Sequence, residues 1–138
     1  MRGDDHAGSF IAKSLIKNES QVVKFFDGQD TVESIVSRIA ALNPKQAVFI
    51  DTCEMNLRAG EIRLVTMNET DYPFFTTHGI PMKLIAERFL PNAQSWVLAI
   101  QPEQLELTEN LSPVVADSVK SVIEFINATM MEEKLAAS

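Results

Sequence analysis

The sequence predicts a single three-layer α/β domain in which helices cover both faces of a mostly parallel, twisted sheet. Two observations support this prediction. Runs of strand-forming apolar residues alternate with segments in which apolar residues repeat at helical spacing. The chain has 138 residues, of which 46% are hydrophobic and 22% are charged, and this composition suits one globular domain of ordinary size.

The first half of the chain predicts two helices and two strands. Apolar residues recur at helical spacing over residues 7–15, and the run 22–26 is rich in strand formers. A second apolar stripe begins at Val32 and stops at Asn43-Pro44, which is a typical helix end. Residues 46–51 close this half, and their continuous apolar run 47–50 predicts a buried strand.

The second half predicts two more strands and two more helices. Residues 61–66 alternate polar with apolar side chains, as a strand near a sheet edge does. Pro81 suits the first turn of a helix, and the apolar run 96–100 after that helix predicts another buried strand. Ser112-Pro113 then begins the last helix. Its core face comprises Val115, Val119, Val122, Ile123 and Ile126.

The composition also restricts the class of function and the location. A formal net charge of −7 argues against a general nucleic-acid binder or a polybasic membrane-surface protein, because both attract phosphate with a positive field. The single cysteine, Cys53, cannot form an internal disulfide, and no apolar stretch approaches the ~20 residues of a membrane span. We therefore expect a cytoplasmic protein with one domain over residues 1–128 and a flexible tail over residues 129–138.

Three polar residues stand where predicted elements begin or end. Asp5 precedes the first helix and Asp51 closes a strand. His78 lies in the loop after the strand that ends near Thr66, just ahead of a later helix. In open α/β sheets, ligands bind at the carboxyl ends of the strands. We therefore expect the three side chains to face one edge of the sheet.

This trio would offer two oxygen ligands and one nitrogen ligand to a metal ion. Two carboxylates held ~4 Å apart repel by roughly 4 kcal/mol at an effective dielectric constant of about 20, and a cation removes that penalty. Three protein ligands leave coordination positions open, as in a catalytic metal site, and nickel ranks high among divalent ions at such ligands. Asp27-Gly28 and Gln101-Pro102 follow other predicted strands and should border the same cleft.

Each of these residues also has a purely structural interpretation. An aspartate such as Asp4 or Asp5 ahead of a helix most often caps it, and Asp51 at a strand end can satisfy a turn. His78 beside two threonines is more often a hydrogen-bonded structural group than a metal ligand. The metal site is favoured because all three side chains are expected at the same edge of the sheet. Cys53 is interpreted as a small, semi-buried side chain outside the mechanism.

Five segments, taken in order, carry a resemblance to a known family. They are Met1-Arg2-Gly3-Asp4-Asp5, Asp51-Thr52, Asn56-Leu57-Arg58-Ala59-Gly60-Glu61-Ile62, Thr76-Thr77-His78-Gly79-Ile80-Pro81 and Ile100-Gln101-Pro102. Together they resemble the maturation endopeptidases of nickel-iron hydrogenases, most closely the formate-hydrogenlyase type. The resemblance implies a phosphorylase/hydrolase-like fold. It also implies an endopeptidase that removes the C-terminal peptide of the hydrogenase large-subunit precursor after nickel insertion.

The same resemblance implies a site, a cofactor and a partner. In that family two acids and a histidine contact nickel, so Asp5, Asp51 and His78 are the expected catalytic and metal-binding residues. The nickel is either held by the free protein or supplied by the precursor. The expected partner is the hydrogenase large-subunit precursor, and the complete protein is expected to be a monomer that binds neither nucleic acid nor membrane.

Two departures from the family pattern lead to further expectations. Family chains open with a strand that ends in a Gly-Asn turn, whereas only Met1-Arg2 precede Gly3, so the usual first strand is expected to be missing. An empty slot in the sheet would leave backbone groups unpaired, and we expect the chain to aggregate, to be molten or to dimerise through the slot. The family has Asp-Gly-Gly where this chain has Asp27, Gly28 and Gln29, which are the expected substrate-binding residues.

Two other functions fit part of the pattern. A receiver-like phosphoacceptor signalling domain would also carry paired acids after its first strand and an aspartate after its third, as Asp51 would be here. Phosphoryl transfer to that aspartate needs a cation to balance charge, yet Gln101 stands at the expected position and no lysine lies between Lys83 and Lys120. A noncatalytic truncated remnant is the other alternative, and the missing strand motivates it.

Overall fold

A computed structural model describes residues 3–28, 32–67, 76–77, 80–103 and 110–137. In these ranges the chain forms two 3-10 helices, Gly3–His6 and Ile16–Asn18, together with four α-helices and five strands. The α-helices are α1 (Ala7–Leu15), α2 (Val32–Ala41), α3 (Met82–Phe89) and α4 (Pro113–Ala137). The strands are β1 (Gln46–Thr52), β2 (Ile62–Thr66), β3 (Thr76–Thr77), β4 (Ile80–Pro81) and β5 (Gln94–Ile100).

Three strands form the central sheet in the order β1, β5, β2, and β3 pairs with β4 in a separate ribbon. β1 runs parallel to β5, with Asp51 beside Ala99, whereas β2 runs antiparallel to β5, with Ile62 beside Ile100. The predicted α/β class is confirmed, and the described sheet has one parallel and one antiparallel strand pair. The carboxyl ends of β1 and β5 therefore share an edge with the start of β2. We call this the carboxyl edge.

Helices cover both faces of the sheet, which confirms the predicted three layers. On one face α1 and α4 bury a cluster against β5, comprising Ala7, Ile11, Leu15, Ile100, Val115, Val119 and Val122. On the other face α3 covers a second cluster, comprising Cys53, Met67, Met82, Ala86, Val97 and Ala99. α2 packs beside α3. Because β5 contributes side chains to both clusters, its sequence is continuously apolar from Trp96 to Ile100.

The first turn of α1 lies so close to β1 that only glycine fits there. A Cβ atom built on Gly8 would lie 2.5 Å from the carbonyl oxygen of Ile50 and 3.7 Å from the Cα atom of Asp51. The shorter distance is far inside van der Waals contact, so any larger side chain would push the helix away from the strand. The absence of a side chain at Gly8 thus lets the start of the chain reach the end of β1.

The prediction of a strand over residues 22–26 is wrong. This segment forms bends and extended backbone without strand pairing, and Val22 is 83% exposed. Local hydrogen bonds hold it instead, since the backbone N–H of Phe25 donates to Glu19 Oε1 at 2.9 Å and Ser20 N–H donates to the carbonyl of Val23 at 3.0 Å. Strand formers become a strand only where a neighbouring strand pairs with them.

The prediction that residues 46–51 are a buried strand is correct in type and only partly correct in burial. Val48 in β1 is 50% exposed, whereas Val97 and Ala99 in β5 are fully buried. Among the described strands, β5 is the sole partner of β1, so β1 lies at a border of the described sheet. A border strand receives less cover from the helices than a central one. Within the described sheet, the same strand order confirms the predicted edge position of β2.

The four predicted helices are confirmed. α4 extends through residues 129–137, the segment assigned from the sequence to a tail, and Met130 within it is buried. None of the helices in the described ranges has both the length and the apolar character that crossing a membrane requires.

Candidate functional site

Asp51 lies in β1 at the carboxyl edge, one residue before the strand ends. Its side chain is partly buried, and its Oδ1 atom accepts a hydrogen bond from the backbone N–H of Thr52 at 2.8 Å. The parallel pairing with β5 sets Asp51 level with Ala99, close to where Gln101 leaves the sheet. This is the kind of position predicted for it, at the carboxyl end of a parallel strand.

The structure also brings the backbone of Asp5 towards the end of β1. Asp5 belongs to the 3-10 helix Gly3–His6, which contacts β1, and the following turn of α1 is the one that lies against Ile50 through Gly8. The Asp5 side chain is outside the described part of the structure. Its contribution to a site with Asp51 therefore stays a prediction, supported by where the backbone runs.

His78 lies outside the described residues, between two paired segments. Thr77 in β3 is paired with Ile80 in β4, and Thr76 with Pro81, so the ribbon flanks His78 and Gly79 in the sequence. The argument that His78 follows a strand ending at the same edge as Asp51 is wrong, because β2 is antiparallel and Thr66 ends at the opposite edge. The chain after His78 nonetheless returns towards the end of β1. Met82, the first residue of α3, belongs to the same buried cluster as Cys53, the residue that follows β1.

Within the described ranges, no three His, Cys, Asp or Glu side chains gather into a group that could hold a metal ion. Of the three predicted ligands only Asp51 has a described side chain. The assignment of Asp5, Asp51 and His78 as a metal site is thus neither supported nor opposed by that result, and it stays a prediction.

Asp4, next to the predicted ligand Asp5, has a structural role. It is only 5% exposed, and its carboxylate accepts hydrogen bonds from Glu103 N–H at 2.9 Å, Ser112 N–H at 2.7 Å and the Ser112 hydroxyl at 2.9 Å. Asp4 therefore fastens the start of the chain to the segment after β5 and to the residue before α4. The sequence alone left Asp4 and Asp5 equivalent, because these partners are about 100 residues away.

Gln101 is a second residue whose role is visible only in the fold. The sequence predicted that it borders the cleft, but its side chain is 3% exposed and both polar atoms of its amide are bonded inside the protein. Its partners are in the loop that follows β1. A signal was present in the sequence, since a polar residue directly after a buried apolar strand must find partners if it is buried.

The predicted substrate-binding residues are described in part. The Asp27 carboxylate accepts a hydrogen bond from the Ser9 hydroxyl at 3.0 Å and lies 3.8 Å from the ammonium group of Lys13, both in α1. Gly28 is exposed, and Gln29 lies outside the described residues. Asp27 is thus anchored to the helix that follows Asp5, and its role in substrate binding stays a prediction.

Cys53, two residues after Asp51, is buried, and its thiol is expected to be unreactive. Burial, with a smaller contribution from the negative charge of Asp51, raises the pKa of the Cys53 thiol to about 12. Roughly one thiol in ten thousand with that pKa is ionised at pH 8, and the thiolate is the reactive form. The structure therefore supports the interpretation of Cys53 as a packing residue.

We expect iodoacetamide to alkylate Cys53 far more slowly in the native protein than in urea at pH 8, because unfolding removes both the burial and the charge of Asp51. Intact-mass measurement over time gives both rates. The unfolded chain serves as its own control for the intrinsic reactivity of the thiol. Equal rates in the two states would mean that the thiol is accessible or ionised in the fold.

Comparison with known proteins gives a consistent set of relatives. No protein-family model matches the chain. Hydrogenase 3 maturation protease of Escherichia coli is 25% identical over 126 residues, which cover 90% of this chain and 81% of that protein. The crystal structure of the hydrogenase maturation protease HycI of Thermococcus kodakarensis superposes with a TM-score of 0.78 at 26% identity, covering 91% of this chain and 82% of that one.

A third comparison bears on the fold alone. The hydrogenase maturating endopeptidase HybD of E. coli matches with a TM-score of 0.70 at 19% identity, over 96% of this chain and 86% of that one. The sequence matches and the superpositions extend over nearly the whole described fold, with Asp51 and the carboxyl edge inside them. By sequence and by fold, this chain is similar to the hydrogenase maturation proteases.

Proposed function

We propose that this protein is an endopeptidase that removes the C-terminal peptide from the large-subunit precursor of a nickel-iron hydrogenase after nickel has been inserted. One observation carries the proposal. The similarity to Hydrogenase 3 maturation protease covers 90% of this chain and 81% of that protein, so it includes the sheet, the helices and the carboxyl edge together. A shared fold by itself would not establish a shared function.

The donor set of the predicted site suits a divalent ion such as nickel. Asp5, Asp51 and His78 would hold it with two carboxylates and one imidazole, a mixture of oxygen and nitrogen ligands that nickel accepts. The chemistry that such an ion supplies when bound is polarisation of a carbonyl group or activation of water. Whether the ion resides in the free protein or comes with the precursor, the same three residues would meet it.

The chain's own groups define the surroundings of the scissile bond in this proposal. Asp51 is oriented by the Thr52 backbone N–H, and its partly buried position strengthens electrostatic interactions relative to those in bulk water. Cys53 is buried, and its burial raises the pKa of its thiol to about 12, so the proposal assigns it no nucleophilic role. Asp27 and Gly28 would line the path of the extended precursor tail.

The phosphoacceptor alternative has no observation in its favour. In that function a cationic side chain would be required near Asp51 after the last strand. Gln101 occupies the corresponding place, and its amide forms hydrogen bonds with the loop after β1.

The proposal is tested by incubating the purified full chain with the large-subunit precursor of the same organism, in nickel-loaded and nickel-free forms. Intact-mass spectrometry should show loss of one C-terminal peptide from the nickel-loaded precursor and no change in the nickel-free one. Circular dichroism first establishes that the chain is folded. A folded chain that leaves the nickel-loaded precursor intact would overturn the proposal.

A further inference from the structure

The loop between β1 and β2, residues 53–61, begins two residues after Asp51 and is held by the side chain of Gln101. The Gln101 Oε1 atom accepts hydrogen bonds from the backbone N–H groups of Met55 at 2.8 Å and Leu57 at 3.2 Å. Its Nε2 atom donates to Glu54 Oε2 at 3.0 Å and to the carbonyl of Pro102 at 3.3 Å. The four contacts define the orientation of the amide, because the two N–H groups can face only its oxygen.

Backbone hydrogen bonds hold both ends of the same loop to the end of β5. Cys53 N–H donates to the carbonyl of Ile100 at 3.0 Å, and Gly60 N–H donates to the carbonyl of Gln101 at 2.8 Å. The N–H of Gln101 donates in turn to the carbonyl of Glu61 at 2.8 Å. The ends of the loop therefore have backbone anchors, whereas residues 54–57 between them depend on the Gln101 side chain.

The far end of the loop is additionally packed against α4. Gly60 has a positive φ of 85°, and a Cβ atom built there would lie 2.7 Å from Val114 Cγ2. The Ser118 hydroxyl donates to the carbonyl of Gly60 at 2.5 Å. Since this end cannot move without disturbing α4, any freedom gained on losing the Gln101 contacts would be confined to residues 54–57.

That middle part includes a strained position. Asn56 has a φ of 57°, a left-handed conformation that costs free energy for a residue with a side chain, although asparagine tolerates it better than most. Its N–H donates to Glu54 Oε1 at 2.9 Å, so the Glu54 carboxylate joins Asn56 to Gln101. The paired side chains of Gln101 and Glu54 thus favour this one conformation of the loop.

We propose that Gln101 is a positioning residue for precursor binding. Its side chain holds residues 54–57 in one conformation, so that they form a rigid surface beside Asp51. This inference rests on the proposed function. An extended peptide that reaches Asp51 at the carboxyl edge passes the loop, because the loop begins at the same edge. A preformed loop surface lowers the conformational entropy lost on binding. Gln101 touches neither the peptide nor the reacting atoms, so its effect falls on substrate affinity rather than on the chemical step.

The test exchanges the two partners one at a time and then together. Gln101→Glu keeps the size and the acceptor atom, but it turns the Nε2 donor into an oxygen that faces the Glu54 carboxylate and the Pro102 carbonyl. Glu54→Gln alone keeps one acceptor oxygen, so it can accept from the Asn56 N–H or from Gln101 Nε2 in the native geometry, and the other donor then faces its NH2 group. The double variant Glu54→Gln with Gln101→Glu restores one donor and one acceptor with their direction reversed. Gln94→Glu adds the same charge at the exposed, opposite end of β5 as a matched control.

With the nickel-loaded precursor, Gln101→Glu should raise KM by about tenfold with kcat changed less than about twofold, and the double variant should recover most of that loss. Gln94→Glu should behave as the parent chain. Hydrogen exchange of residues 54–57 should become faster in Gln101→Glu and slow again in the double variant. A role limited to stability would lower the melting temperature without separating KM from kcat.

Two results would overturn the inference while leaving the proposed function in place. One is that the parent chain and the Gln101→Glu variant have equal KM values for the precursor. The other is unchanged exchange of residues 54–57 in that variant, which is measured without substrate and is informative even if activity is lost. Failure of the folded parent chain to cleave nickel-loaded precursor would instead overturn the proposed function, and the positioning role with it.

Discussion

Replacement of Asp51 by alanine is expected to abolish cleavage of the nickel-loaded precursor and to leave the fold intact. Asp51 is partly buried at the carboxyl edge, and its Oδ1 atom accepts a hydrogen bond from the adjacent Thr52 N–H. Loss of that bond costs roughly 0.5–1.5 kcal/mol, which a domain tolerates. Loss of a group that contacts the reacting atoms commonly lowers kcat by about a hundredfold or more.

Cleavage is measured by intact mass of the precursor, and folding by circular dichroism and thermal unfolding of each variant. Asp51→Asn tests whether the charge matters beyond the shape, and His78→Ala should give the same loss if His78 is the third ligand. Asp117→Ala, an exposed carboxylate in α4, is the matched control and should cleave normally. Near-normal processing by folded Asp51→Ala or His78→Ala would rule out this site assignment.

Replacement of Asp4 by alanine should be the most destabilising single change among the acidic residues of the described chain. Its buried carboxylate accepts from Glu103 N–H, Ser112 N–H and the Ser112 hydroxyl. Alanine would leave these donors without their partner in a buried site, and hydrogen bonds to a charged group each contribute roughly 1.5–3 kcal/mol. We expect the free energy of unfolding to fall by about 3 kcal/mol, a large part of the ~5–15 kcal/mol typical of a domain.

Urea denaturation monitored by circular dichroism gives this quantity, provided the transition is cooperative. Asp4→Asn keeps the volume but only one acceptor oxygen, so its loss of stability should lie between those of the parent chain and Asp4→Ala. Asp117→Ala again serves as control and should change stability by less than about 0.5 kcal/mol. If Asp4→Ala and Asp117→Ala are equally stable, the three hydrogen bonds to Asp4 do not hold the start of the chain.

Features that depend on neighbouring residues along the chain could be predicted from the sequence. The spacing of apolar residues predicted α1 and α2, and the continuous apolar run predicted β5, because both patterns arise within a few residues of one another. Asp51 was correctly expected at the end of a strand for the same reason. The ordered set of motifs also identified the relatives that sequence and fold comparison later gave.

Features that depend on which distant segments meet were decided by the tertiary structure. Residues 22–26 have strand propensity but no strand partner, and β2 runs antiparallel although its sequence carries no sign of direction. Asp4 and Gln101 owe their roles to partners far along the chain, at Ser112 and in the loop after β1. A sequence pattern records whether a side chain or backbone group needs a partner, whereas only the folded chain determines which group supplies it.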